Sequence, residues 1–319
     1  MKPAFALFTR ADEPARLFHV VFHTRFLSAS PFGCRLSARI AAGLLVGILG
    51  IGGATAQESA QENAASGGQT DHGGESKTVV DSPLNATPSE LQGIISEEDR
   101  QKAIERWEKD IAKFDELDRT QSDPDNAVML LGSSSIRLWS QAAEMLAPYP
   151  IIRRGYGGAR YSDMVVFARR LISPHQYRAL VVFIANDITG SEQDRTVEEV
   201  EKMVMHVIGV SKKVQPDAPI LLVEVTPTPS RWKVWPEVRR LNEMFREVAL
   251  TQPNVYCLTT AEYYLNADDT PRPELFLKDM LHQNEAGYLI WADLIGRRLD
   301  EILTDEEVQV SAAAGVQSE

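Results

Sequence analysis

Apolar and polar positions along this chain follow two alternating periods. Five short, nearly unbroken apolar runs read as strands: AVMLLG (127–132), YPIIRRG (149–155), ALVVFIAND (179–187), APILLVEVTP (218–227) and NVYCLT (254–259). Residues 179–187 are rich in Val, Ile and Leu, as in a central parallel strand buried on both faces. Around these runs, apolar residues recur at helical spacing over 96–118, 161–172, 194–214, 235–250 and 284–303. The first helix opens on Ser96 followed by Glu98 and Asp99, a capping-box pattern. Strands alternating with helices predict a doubly wound α/β domain around a five-stranded parallel sheet. In such sheets ligands bind at the carboxyl ends of the strands.

The pattern fails at both ends of the chain. Residues 57–95 are mostly small and polar and carry too few large apolar groups to offset the entropy of ordering them, so they read as a disordered linker. Residues 306–319 read as a disordered tail, which leaves 96–305 as the folded domain. Before the linker, Arg35 and Arg39 precede the apolar run 40–53, and Ala54 and Ala56 form a small-x-small site. Residues 1–56 therefore read as an export signal cleaved after Ala56, giving a periplasmic or secreted protein. The alternative is an uncleaved N-terminal membrane anchor.

Charge and cysteines narrow the function. The net charge of −12 argues against a nucleic-acid partner, which needs a basic face. Residues 1–56 hold six basic and two acidic residues, so their loss deepens the charge to −16 and disfavours a lasting membrane partner. Cys257 is then the one remaining cysteine, and no intramolecular disulfide can form. No zinc-type spacing is present: there is no H-E-x-x-H and no cysteine pair.

The strand ends carry the chemistry. The first ends in Gly132-Ser133-Ser134-Ser135, the second in GYGG (155–158), the third in Asn186-Asp187, the fourth in TPTPSRW (226–232). Asp279 and His282 follow the fifth, three residues apart. On a helical turn or a tight loop this spacing sets a carboxylate beside an imidazole, which orients the ring and leaves its other nitrogen to take a proton from a serine hydroxyl. Serine needs such a base to act as a nucleophile at neutral pH.

GSSSI (132–136), GYGG, AND (185–187) and DMLH (279–282) stand in the order and spacing of the four sequence blocks of the SGNH hydrolases, also called GDSL esterases/lipases. The chain resembles this family over roughly residues 125–300, most of all the bacterial branch whose first block reads GSSSIRxW. The resemblance implies a flavodoxin-like three-layer α/β/α sandwich and ester hydrolysis through an acyl-enzyme, with no metal or cofactor. It maps the nucleophile to Ser134 and the Asp-x-x-His pair to Asp279 and His282. The oxyanion hole maps to the Ser134 and Gly158 amides and the Asn186 side chain. The implied substrate is a short acyl ester or an O-acetylated carbohydrate.

Two positions depart from the family pattern. Ile184 stands where the third block has glycine, and Arg153 where the second has asparagine. They motivate a contrasting reading, a non-catalytic carbohydrate-binding or scaffold protein on the same fold. An acyltransferase using the same triad is a further option. Arg137 and Trp139 either shape the acyl pocket or start and pack the following helix. Arg231 and Trp232 are candidates for lining a substrate groove.

Overall fold

The computed structural model describes residues 81–316. The signal or anchor reading of 1–56, and the linker reading up to residue 80, lie outside the described residues. Five parallel strands form one sheet: β1 (Val128–Gly132), β2 (Ile151–Gly155), β3 (Ala179–Phe183), β4 (Ile220–Val223) and β5 (Val255–Leu258). Their order, β2-β1-β3-β4-β5, is the flavodoxin-like order, whose switch point lies between β1 and β3. The helices are α1 (Glu97–Thr120), α2 (Ser134–Leu138), α3 (Ala142–Met145), α4 (Tyr161–Ile172), α5 (Val197–Val214), α6 (Trp235–Thr251) and α7 (Glu285–Val316).

Side chains of successive strand residues point to opposite faces, and each face has its own core. Met129, Leu131, Val182 and Leu222 join residues of α1, α4, α5 and α6. Val128, Leu130, Val181 and Leu221 join Trp139, Tyr288, Trp291 and Ile295 on the side of α2, α3 and α7. This is the three-layer α/β/α sandwich. Helix α1 starts as its sequence predicts, with the Ser96 hydroxyl accepting from Asp99 N at 3.0 Å.

Three sequence expectations need correction. Residues 81–95 are packed: Asn85 and Leu91 are buried, and Ala86 N donates to Val166 O at 2.8 Å. Arg100 and Arg169 donate to the carbonyls of Ala86 and Asn85, so cationic side chains from α1 and α4 hold a segment too poor in apolar residues to fold alone. At the other end α7 continues as helix to Val316, because Glu, Gln and Ala are good helix formers. Finally, β3 stops at Phe183, and Ile184–Asp187 form the loop that faces the site.

Candidate active site

The site starts where β1 ends. A Cβ on Gly132 would lie 2.2 Å from the Phe183 carbonyl oxygen, so only glycine lets β1 and β3 approach here. Ser133 is the buried N-cap of α2, and Ser134 opens the helix. The first amides of a helix have no acceptor within it, which leaves the Ser134 N–H without an intrahelical partner. The Ser135 carbonyl accepts the Tyr288 hydroxyl at 2.8 Å, which ties α2 to α7.

Asp279 and His282 lie on a tight loop. Leu277 N donates to His282 O at 2.7 Å, closing a turn in which Met280 takes a left-handed conformation, φ 55°. Asp279 Oδ1 accepts from Leu281 N and His282 N, each at 3.0 Å. Asp279 Oδ2 lies 2.6 Å from His282 Nδ1, and His282 Nε2 lies 2.9 Å from Ser134 Oγ. Burial opposes ionisation of Asp279, but the His282 ring and the two amides outweigh it and hold the carboxyl below its ordinary range. An ionised carboxylate only accepts, so Nδ1 carries the ring proton and Nε2 is left to accept from the serine.

Asn186 lines the same cavity as Ser134 and His282, and Gly158 follows β2. Gly158 has φ +72°, a conformation that glycine adopts without strain. Asn186 Nδ2 donates to Ala159 O at 2.9 Å, and Asn186 Oδ1 accepts from Arg231 Nη2 at 2.8 Å. Arg231 Nη1 also donates to Ala185 O at 2.6 Å. The guanidinium therefore fixes which end of the amide is oxygen and leaves one Nδ2 hydrogen without an acceptor among the described residues. Burial lowers the Arg231 pKa from its ordinary value, yet a guanidinium stays charged. Behind Asn186, Asp187 is buried, and both its oxygens accept from Tyr161 N at 3.0 Å. Burial raises its pKa to about 7, with help from Asp163 and against the Tyr161 amide and two arginines.

A narrow cavity of about 30 Å³ opens beside Ser134, lined by Phe183, Ile188, Val225, Trp235 and Val238 among others. The hydroxyls of Thr226 and Thr228 and Gln283 Oε1 are buried there without a partner among the described residues.

The guessed lining residues fare unequally. Arg231 lines the cavity. Trp139 does not: it is 1% exposed and stacks on Tyr288 at 5.4 Å in the core, so it packs α2 rather than touching substrate. Trp232 also stands off, stacked at 5.8 Å against Trp235, which is the indole that walls the cavity. Trp235 escaped the sequence reading because it begins α6, where an aromatic residue looks like ordinary core. Of the two departures, Ile184 points into the core beneath the sheet end and takes no space from the site. Arg153 donates to Trp139 O, away from Asn186.

The fold and the family agree. The sequence profile of the GDSL-like lipase/acylhydrolase family matches residues 122–290, more than half of the chain. The chain belongs to this family, and it is a carboxylic ester hydrolase. No curated protein matches it at a significant level. Among solved structures it is similar in fold to a GDSL-like lipase from Bacteroides thetaiotaomicron, with a TM-score of 0.51 and 13% identity over 60% of this chain and 98% of that one. It is also similar to a protein classed as an acylhydrolase from Bacteroides fragilis, with a TM-score of 0.52 and 18% identity over 62% and 96% of the two chains.

Proposed function

We propose that this protein is a short-acyl esterase in which Ser134 is the nucleophile, His282 the general base and Asp279 the carboxylate that orients it. The observation that carries this reading is the unbroken line from Asp279 through the His282 ring to Ser134 Oγ, with contacts of 2.6 and 2.9 Å. His282 takes the hydroxyl proton as Ser134 attacks the acyl carbonyl. The developing oxyanion meets the amides of Ser134 and Gly158 and the unpaired Asn186 hydrogen. His282 then passes its proton to the departing alcohol, and a water, activated by the same ring, releases the acid from the acyl-enzyme.

Two features support a short acyl group. A cavity of about 30 Å³ holds about two water-sized groups, enough for an acetyl methyl and little more. A longer alkyl chain would also bury Thr226, Thr228 and Gln283 against hydrocarbon, at a cost of about 1–3 kcal/mol for each unpaired group. The leader-like pattern in residues 1–56 supports action outside the cytoplasm, and an O-acetylated carbohydrate fits that setting. A series of p-nitrophenyl esters from acetyl to palmitoyl tests the reading. Acetyl should give the highest kcat/KM, and a maximum at palmitoyl would refute the short-acyl assignment.

A further inference from the structure

Resting on the esterase reading, the structure also points to what the alcohol half of the substrate carries. A carbonyl carbon under attack has two arms, and the molecule offers them two unlike compartments. The β3–β4 side holds the narrow cavity. On the β2 side, a groove of about 520 Å³ runs between α1 and α2. Trp107, Phe114 and Tyr156 give it an apolar wall, and Gly157, the neighbour of Gly158, also lines it. It is wide enough for a ring, which the cavity is not.

The groove is cationic on an acidic protein. Its charged lining is Arg137, Arg153, Lys113 and Asp110, and the last two are paired at 2.6 Å. Arg106 adds a further positive charge, with its guanidinium carbon 4.6 Å from the Trp107 ring centre. Arg137 is the informative member. It stands one helical turn after Ser134 on the same face of α2, and a Cβ on Gly157 would meet its Nε at 3.2 Å. It is exposed and makes no hydrogen bond or ion pair among the described residues, although the chain carries 45 acidic residues against 33 basic ones. Arg153 is anchored by the Trp139 carbonyl and lines the same groove.

We propose that this groove is the leaving-group subsite and that it selects alcohols bearing an oxyacid anion, a carboxylate or a phosphate monoester, held by the Arg137 guanidinium. Planar guanidinium donors match either anion in a bidentate arrangement, and the ring that bears the anion rests on the aromatic wall.

The test compares 4-acetoxybenzoate and 4-acetoxyphenyl phosphate with neutral methyl 4-acetoxybenzoate, each as kcat/KM corrected for its rate with hydroxide. Wild type should prefer the anionic esters, less so as ionic strength rises. Arg137→Gln should cut the anionic-to-neutral ratio about tenfold, the worth of one charge-assisted hydrogen bond, and Arg137→Glu should cut it further. A larger loss on the phosphate assigns that anion, and a larger loss on the benzoate assigns the carboxylate. A ratio that neither variant changes, or a wild type indifferent to charge, overturns the subsite. Failure of wild type to cleave even the neutral ester would instead overturn the esterase reading.

Discussion

In the proposed mechanism two arms meet at Ser134, and they are built in opposite ways. The base arm is local. Asp279 and His282 sit three residues apart on a surface loop, with side chains 48% and 21% exposed, held mostly by hydrogen bonds within residues 277–282, with one from Ser230 N to Met280 O at 3.1 Å. The oxyanion arm is assembled from a distance. Gly158 follows β2, Asn186 follows β3 and Arg231 follows β4, and the hydrogen bonds that orient Asn186 run to Ala159 and Arg231. One arm depends on a short stretch of chain, and the other on the register of the whole sheet.

Damage to the base arm should cost the most. Asp279→Asn should lower kcat by about 10⁴-fold, because the amide can hold the wrong histidine tautomer, while the melting temperature barely moves at so exposed a site. Steady-state kinetics beside a thermal melt would separate these effects.

Damage to the oxyanion arm should cost less in rate. Asn186→Ala should lower kcat by about 10²–10³-fold with KM little changed. Arg231 acts through Asn186 as a positioning residue, so Arg231→Ala should lose about tenfold or more alone, yet add little in an Asn186→Ala background. Additive losses in this double-mutant cycle would mean that Arg231 serves the substrate directly.

The last effect concerns stability rather than rate. The folded-state pKa of Asp187 is raised by burial, so the native protein holds this proton more tightly than the unfolded chain does. The stabilisation from that proton is present at acid pH and is lost as pH rises toward about 7. Asp187→Asn stays neutral, so its melting temperature should gain on wild type between about pH 4 and about pH 7 and run parallel above that. A constant difference across the range would mean that Asp187 ionises normally.

The same contrast explains how much the sequence reveals. The Asp279–His282 pair was legible because Asp-x-x-His is a local spacing, whereas the apolar run ending at Gly132 did not separate Ser134 from its two neighbours, and only the family resemblance singled it out. Helix 161–172 was legible from its apolar pattern, and in the structure Asp163 accepts from Arg160 N at 2.9 Å in its first turn. The tie between Arg231 and Asn186 joins residues 45 apart in sequence, and no local pattern encodes it. Trp139 and Trp232 are indoles beside the site in sequence that pack elsewhere in space, while Trp235 reaches it. Helices α2 and α3, of five and four residues, are too short for a period to show. Residues 81–95 looked disordered because average composition misses backbone carbonyls bound by distant arginines.

The central claim is that His282 activates Ser134 and no other serine. A fluorophosphonate probe followed by peptide mass mapping tests it directly. Wild type should take one label per chain, on Ser134, and His282→Ala should take almost none. A label on Ser133, Ser135 or any other serine, or full labelling without His282, would contradict the account.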